Sequence, residues 1–262
     1  QDATPAGSVT VQGGDLEAAT SWLIDQQLED GAFAGFSGEA DAGTTVDAVI
    51  ALAAAESRGV DVGTALDDAV AYLASGDVAL VYEQTGVGQA AKLVLALVAV
   101  GEDPADFATT NPLAIVQNGQ DEATGVYGTG VYDHAYAMMA LAVTGSDVPE
   151  SALEALGATQ GDQGGWAFDG STDALAADSN TTAMVVQALV ATGNGDHSMV
   201  QGGLEYLLTT LDDEGGAAYA QGAEADANST ALVAQAHIAT HGDATALLGS
   251  LQMFQNPSGA YF

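Results

Sequence analysis

A helix that is apolar on all sides recurs five times along this chain at nearly constant spacing, and that periodicity restricts the fold more than any other feature. Aligned without gaps on Leu52, Leu97, Leu141, Leu189 and His237, the copies are separated by 45, 44, 48 and 48 residues. The fourth copy shows the whole unit: an amphipathic helix from Leu153 to Gln160, the turn Gly164-Gly165-Trp166-Ala167-Phe168, a polar start at Asp178-Ser179-Asn180, then Thr181-Thr182-Ala183 running to Leu189 and a stop at Gly193. Amphipathic spacing, a capping residue and a terminal glycine are the marks of paired helices. A period of this size belongs to helical repeats. The second repeat, with Leu66, Val70 and Leu73 on its first helix, lacks the glycine-aromatic turn and is the most degenerate.

An open solenoid needs polar faces on its end repeats. Here the first and last apolar helices are as apolar as the middle ones, so they want neighbours on both sides. A closed α/α toroid, apolar helices inside and amphipathic ones outside, meets that demand and sets the predicted fold as all-α. Five pairs and a half unit, Leu247 to Phe254 with Pro257-Ser258-Gly259-Ala260-Tyr261, give eleven helices, one short of six pairs. The toroid domain is expected over residues 15–262 and a flexible segment over 1–14; either that segment closes the ring or the chain is trimmed.

Composition narrows the partners. Thirty-six acidic residues stand against Arg58 and Lys92, a formal charge of −34 that repels nucleic acid and anionic membrane surfaces. No apolar stretch approaches the ~20 residues of a membrane span. The absence of cysteine removes disulfides, thiol nucleophiles and thiolate metal ligands. A small, polar start without Met and an acidic surface suggest an exported protein, extracellular or at the cell surface.

Two columns of the repeat are nearly invariant in size: Ala51, Ala96, Ala140, Ala188, Ala236, and Val46, Ala91, Ala135, Ala183, Ala231. Small residues are what close helix contact requires, so these columns are assigned to packing. Three other columns share one helical face and vary: Gly43, Gly88, Tyr132, Asn180, Asn228; then Asp47, Lys92, Tyr136, Met184, Leu232; then Ile50, Leu95, Met139, Gln187, Gln235. Variation within a repeat marks a lumen wall, mostly apolar with a few polar groups, as in small-molecule sites. Asp47 and Lys92 fall in one column on successive inner helices and are predicted to pair, either as a structural ion pair or as an anchor for a polar ligand group. His134, beside Asp133, stands where it can meet a ligand or cap its helix. Asp41, Asp178 and Asp226 share a column at inner-helix starts, where carboxylates take up free backbone N–H groups. His237 and His241, four apart, show no third metal ligand, and no metal site is predicted. The acidic turn Asp212-Asp213-Glu214-Gly215 misses the EF-hand spacing.

The Gln-ended helix, glycine-aromatic turn and capped Thr-Thr-Ala helix resemble the repeat of protein prenyltransferase β subunits, squalene and hopene cyclases, complement thioester domains and cobalamin carriers of the intrinsic factor and transcobalamin type. The likeness covers nearly the whole chain and implies the toroid rather than an activity. Prenyltransferases hold zinc through an Asp-x-Cys pair, and Asp178-Ser179-Asn180 and Asp226-Ala227-Asn228 put asparagine in the thiolate's place; thioester domains need Cys-Gly-Glu-Gln. Cyclases use an Asp-x-Asp-Asp acid, a run this sequence lacks. Gly88-Gln89-Ala90-Ala91 looks like the carriers' Gly-Gln-Leu-Ala helix, and the resemblance implies that Gln89, Thr129, Asn180 and Asp226 grip amides of a corrinoid. It also implies a β-rich partner domain, which this chain does not contain.

The resulting expectation is a non-catalytic module that binds a corrinoid-like or other polar-edged small molecule at the inner-helix N-termini. Its site would comprise Gln89, Thr129, Tyr132, His134, Tyr136, Asn180, Gln187, Asp226, Asn228, Gln235, Asp47 and Lys92. The alternatives are a terpene or squalene cyclase-like or prenyltransferase-like enzyme, with Asp47, Asp133 or Asp178 as acid, and an extracellular interaction scaffold. A cyclase predicts an aromatic-lined cavity, because carbocations are stabilised by ring faces; only Tyr132 and Tyr136 lie on the expected wall.

Overall fold

The computed structural model describes residues 14–173 and 175–262, so the segment expected to be flexible lies, apart from Gly14, outside the described residues. The inner helices follow the five apolar repeats: α2 (Ala42–Ser57), α5 (Val87–Ala99), α7 (Val131–Val143), α9 (Ser179–Ala191) and α11 (Ala227–Ala239). Outside them stand α1 (Leu16–Ile24), α3 (Ala65–Ala74), α6 (Pro112–Gln117), α8 (Glu150–Thr159), α10 (Ser198–Leu208) and α12 (Thr245–Phe254). The twelfth helix, α4 (Val78–Glu83), occupies the second repeat where the glycine-aromatic turn is missing. A two-residue antiparallel ladder, β1 (Phe33–Ala34) with β2 (Ala40–Asp41), completes the first turn. The expected all-α toroid is therefore present.

Successive inner helices pack in order, α2 on α5, α5 on α7, α7 on α9 and α9 on α11. Their contacts use the small-residue columns: Ala96, Ala140, Ala188 and Ala236, and Val46, Ala91, Ala135 and Ala183, are all fully buried. The two clusters of buried apolar side chains run along these helices, one from α5 to α11 and one around α2 and α3.

Turns between outer and inner helices are built alike. The amide of Gln27 donates to the carbonyls of Gly31 and Ala65 at 2.9 and 2.8 Å, and that of Gln160 to Gly164 and Met199 at 2.8 and 3.1 Å. Each glutamine thus closes its own turn and ties it to the next outer helix. Gln255 does the same across the ends of the chain, donating to the carbonyls of Gly259 (3.1 Å) and Asp15 (2.8 Å) and accepting from the Asp15 N–H at 2.6 Å. That join closes the outer ring. The glycine of the turn is required twice over: Gly164 sits at φ +86°, and a Cβ there would strike the backbone of Gly202.

Inside each turn an N–H points into the core and finds an acceptor on the following inner helix. Thr45 accepts from Phe33, Thr182 from Trp166 and Thr230 from Ala217, each at 2.9 Å. Trp166 is fully buried, and its indole N–H donates to the Leu156 carbonyl at 2.9 Å.

Candidate active site

The inner-helix N-termini form one mouth of the ring, and three of them carry the predicted aspartate caps. Asp41 accepts from the Thr44 N–H (2.7 Å), Asp178 from Thr181 (2.7 Å) and Asp226 from Ser229 (2.8 Å). Their environments differ sharply. Asp41 is exposed, and its bonds to Thr44 hold its carboxyl below the usual range. Asp178 is only 2% exposed. Burial dominates there and raises its pKa, against the opposing bonds from Thr181 and the adjoining Tyr219 hydroxyl.

The charge of Asp178 reaches Tyr132, which belongs to a group of rings. Tyr132 and Tyr136 on α7 meet edge to face at 5.4 Å between centroids, and Tyr132 lies 6.2 Å from Phe168 in the turn before α9. Burial raises the pKa of both tyrosines, which keeps their hydroxyls protonated. Tyr82 on α4 is raised in the same way, with the charge of Asp47 adding to the effect. The predicted ion pair is present: Lys92 Nζ lies 2.5 Å from Asp47 Oδ1 and 5.8 Å above the Tyr136 ring. Asp47 keeps 56% of its side chain exposed, so the pair contributes about 0–1 kcal/mol. Ile50, Leu95, Met139 and Leu232 are neither buried nor fully exposed, as expected of side chains lining an open lumen.

The predicted site residues do not all converge. Gln89 lines a cavity of about 640 Å³ at the mouth, with Asp41, Tyr72 and Tyr82. Asp226 and Asn228 line another of about 570 Å³ beside α12. Asp226 accepts from Ser229 with both carboxylate oxygens, as Asp178 does from Thr181. Asn180 stands half-buried beside Asp178, within 3.3 Å of the Ser179 hydroxyl. Gln187 and Gln235 lie about two turns deeper; the Gln187 amide folds back onto the Ala183 carbonyl at 3.2 Å, and Gln235 is exposed.

Two residues leave the lumen wall altogether. Thr129 is held by Asp133, which accepts from its N–H at 3.1 Å and its hydroxyl at 3.0 Å; Thr129 lines a separate cavity of about 200 Å³ between α7 and α8. His134 is 2% exposed and fully bonded, accepting from Tyr127 N–H at 2.9 Å on Nδ1 and donating from Nε2 to Ala152 O at 3.0 Å. It stands where Thr45, Thr182 and Thr230 stand in their repeats and does their work, and burial lowers its pKa. The expectation of a ligand-facing histidine is corrected accordingly. No group of three or more metal-ligating side chains occurs among the described residues.

The wall is more aromatic than the inner helices alone suggest. Tyr82 comes from α4, and Phe168 and Tyr219 come from turns before α9 and α11. None of the three belongs to an inner-helix column. The signal for Phe168 lies in the glycine-aromatic motif; nothing in the repeat announces α4.

No family model matches the chain, and no curated protein matches it either. Solved structures do. The type II terpene cyclase MstE from Scytonema, without ligand, has 16% identity and a TM-score of 0.67, covering 94% of this chain and 79% of that one. A variant of the same enzyme bound to geranylgeranyl dihydroxybenzoate, its substrate, gives 16%, 0.67, 94% and 80%. Another, bound to its product merosterolic acid A, gives 15%, 0.66, 94% and 81%. At such identity the likeness establishes the fold alone, an α/α toroid. It also overturns the non-catalytic carrier expected from the sequence: the neighbours sharing this ring are enzymes solved with substrate and product, and they favour the cyclase alternative.

Proposed function

We propose that the chain is a cyclase of the type II terpene kind, which protonates an alkene of a polyprenyl chain held in the lumen. The observation that carries this reading is Asp178, a buried carboxyl whose charge reaches Tyr132, which clusters in turn with Tyr136 and Phe168. Desolvation favours its protonated form, the form an acid must hold before it acts. Transfer of that proton to a terminal alkene carbon leaves a tertiary cation on the neighbouring carbon. The next double bond attacks it, closing a ring and moving the charge along the chain, where tyrosine and phenylalanine faces stabilise it. Loss of a proton ends the sequence. The product is then an isomer of the substrate, and Asp178 is restored by a proton from solvent.

Asp178 takes the role of an Asp-x-Asp-Asp acid without that run. The Thr181 hydroxyl and N–H fix its orientation in place of neighbouring carboxyls. The charge of −34 and the acids of the mouth disfavour a diphosphate and favour a substrate whose long part is uncharged.

Incubation with squalene, geranylgeranyl dihydroxybenzoate and geranylgeranyl diphosphate, followed by mass spectrometry, tests the reading. Cyclised products of unchanged mass are expected from one of the first two. Asp178→Asn should lower the rate roughly 10²–10⁴-fold, the usual worth of a general acid. If none of the three is converted, the reading falls.

A further inference from the structure

Lys92 is the chain's single lysine, and the fold spends it on the lumen wall. Asp47 on α2, Lys92 on α5 and Tyr136 on α7 occupy one level of the inner ring, which Met184 on α9 and Leu232 on α11 complete. One part of this level is therefore polar and the other apolar. α3 packs behind α2 and α6 behind α5, and Lys92 Nζ lies 5.8 Å above the Tyr136 ring, so the exposed parts of the ion pair face the lumen. The cavity of about 640 Å³ at the mouth leads down to it. Gly43 and Gln89 line that cavity, and Asp47 and Lys92 stand four and three residues further along the same helices, one turn deeper. The Tyr82 ring, also in the cavity wall, packs on Gly43, where a Cβ would lie 3.4 Å from it. Below the pair, Ile50, Leu95 and Met139 make the same three helices apolar.

Stability does not call for a charged pair here. Half-exposed ion pairs add little, and Met184 and Leu232 show that apolar side chains fit the same level. In a lumen where positive charge moves along the substrate, a bare ammonium would oppose the reaction, and Asp47 cancels it. What remains is a neutral couple with hydrogen-bonding capacity to spare. Their contact engages Asp47 Oδ1 and one of the three ammonium donors; the other carboxylate oxygen and the remaining N–H groups take no partner among the described residues. We propose that Asp47 and Lys92 form the head-group subsite of this lumen and select a polyprenyl substrate that carries a hydroxyl, as an alcohol or a phenol. A hydroxyl accepts from Lys92 and donates to Asp47 at once, whereas an ether fills only the first role and a hydrocarbon neither. The inference rests on the cyclase reading for the prenyl tail and names the chemistry of its other end. Tyr136, over which Lys92 stands, continues through Tyr132 to Phe168, an aromatic path for that tail away from the subsite. Of the candidate substrates, geranylgeranyl dihydroxybenzoate offers hydroxyls and squalene offers none.

Geranylgeraniol, its methyl ether and the parent hydrocarbon, in which hydrogen replaces the hydroxyl, share one tail and can be compared without turnover. They are titrated by calorimetry, from a cyclodextrin carrier, into the full chain carrying Asp178→Asn. The alcohol should bind roughly tenfold or more tighter than the ether, the scale of one hydrogen bond to a charged group, and the ether tighter than the hydrocarbon. Asp47→Ala should bring the alcohol down to the affinity of the ether, and Lys92→Met should weaken alcohol and ether together. Circular dichroism should show both variants folded; if either is not, the three ligands on the otherwise native chain decide. Equal affinity for all three overturns the proposal, as does binding of none, or an alcohol preference that survives Asp47→Ala. Cyclisation is scored separately by product mass. Products formed without a preference for the alcohol sink the subsite and leave the cyclase reading; a preference for the alcohol without products does the reverse.

Discussion

Glu83 ends α4 at 3% exposure with one carboxylate oxygen unpartnered, and the Thr110 hydroxyl beside it is likewise unpartnered. Burial raises its pKa above the usual value, against the opposing effect of Thr110. The folded state therefore holds this proton more tightly than the unfolded one. Stability from this group is complete below the unfolded pKa of about 4.5 and falls as pH rises through the raised folded value. Glu83→Gln should increase unfolding free energy at pH 7.5 by roughly 1–2 kcal/mol, the scale of a buried unpaired polar group, and change little at pH 4. Urea denaturation of both proteins at the two pH values checks it. Asp178 follows the same sign, so Asp178→Asn should remove activity without lowering stability at neutral pH.

At the scale of elements, the turn between outer and inner helix carries the ring. Gly164→Ala places a Cβ at positive φ and against the Gly202 backbone, joining two faults at one site. A loss of about 1–3 kcal/mol is expected, with a lower unfolding midpoint by calorimetry. The inner helices are legible from sequence because each must approach its neighbours closely, and only small residues allow it. Asp47 and Lys92 are legible for the same reason, since matching places on adjacent helices face each other. α4 is not, because its repeat lost the turn that marks the others. His134 misleads because a threonine hydroxyl and an imidazole nitrogen can accept the same turn N–H, an equivalence of role that residue type hides. Tyr82, Phe168 and Tyr219 reach the mouth from outside the inner ring, where helical columns say nothing of them.

For the whole molecule, charge is the strongest influence outside the core. Of the two basic residues, Lys92 is tied to Asp47, so most of the acids repel one another with little compensation. The Debye length falls from about 10 Å at 0.1 M salt to about 3 Å at 1 M, which removes most of that repulsion between exposed groups. The thermal midpoint should rise steadily with sodium chloride over this range, and a flat profile by differential scanning calorimetry would contradict the account. The latch of Gln255 on Asp15 joins residues 240 apart in sequence. During synthesis, α1 has no partner for its outer edge until the turn around Gln255, 240 residues later, has been made. Until then the outer ring is an unclosed arc, and a stall before that turn leaves α1 exposed to chaperones and proteases.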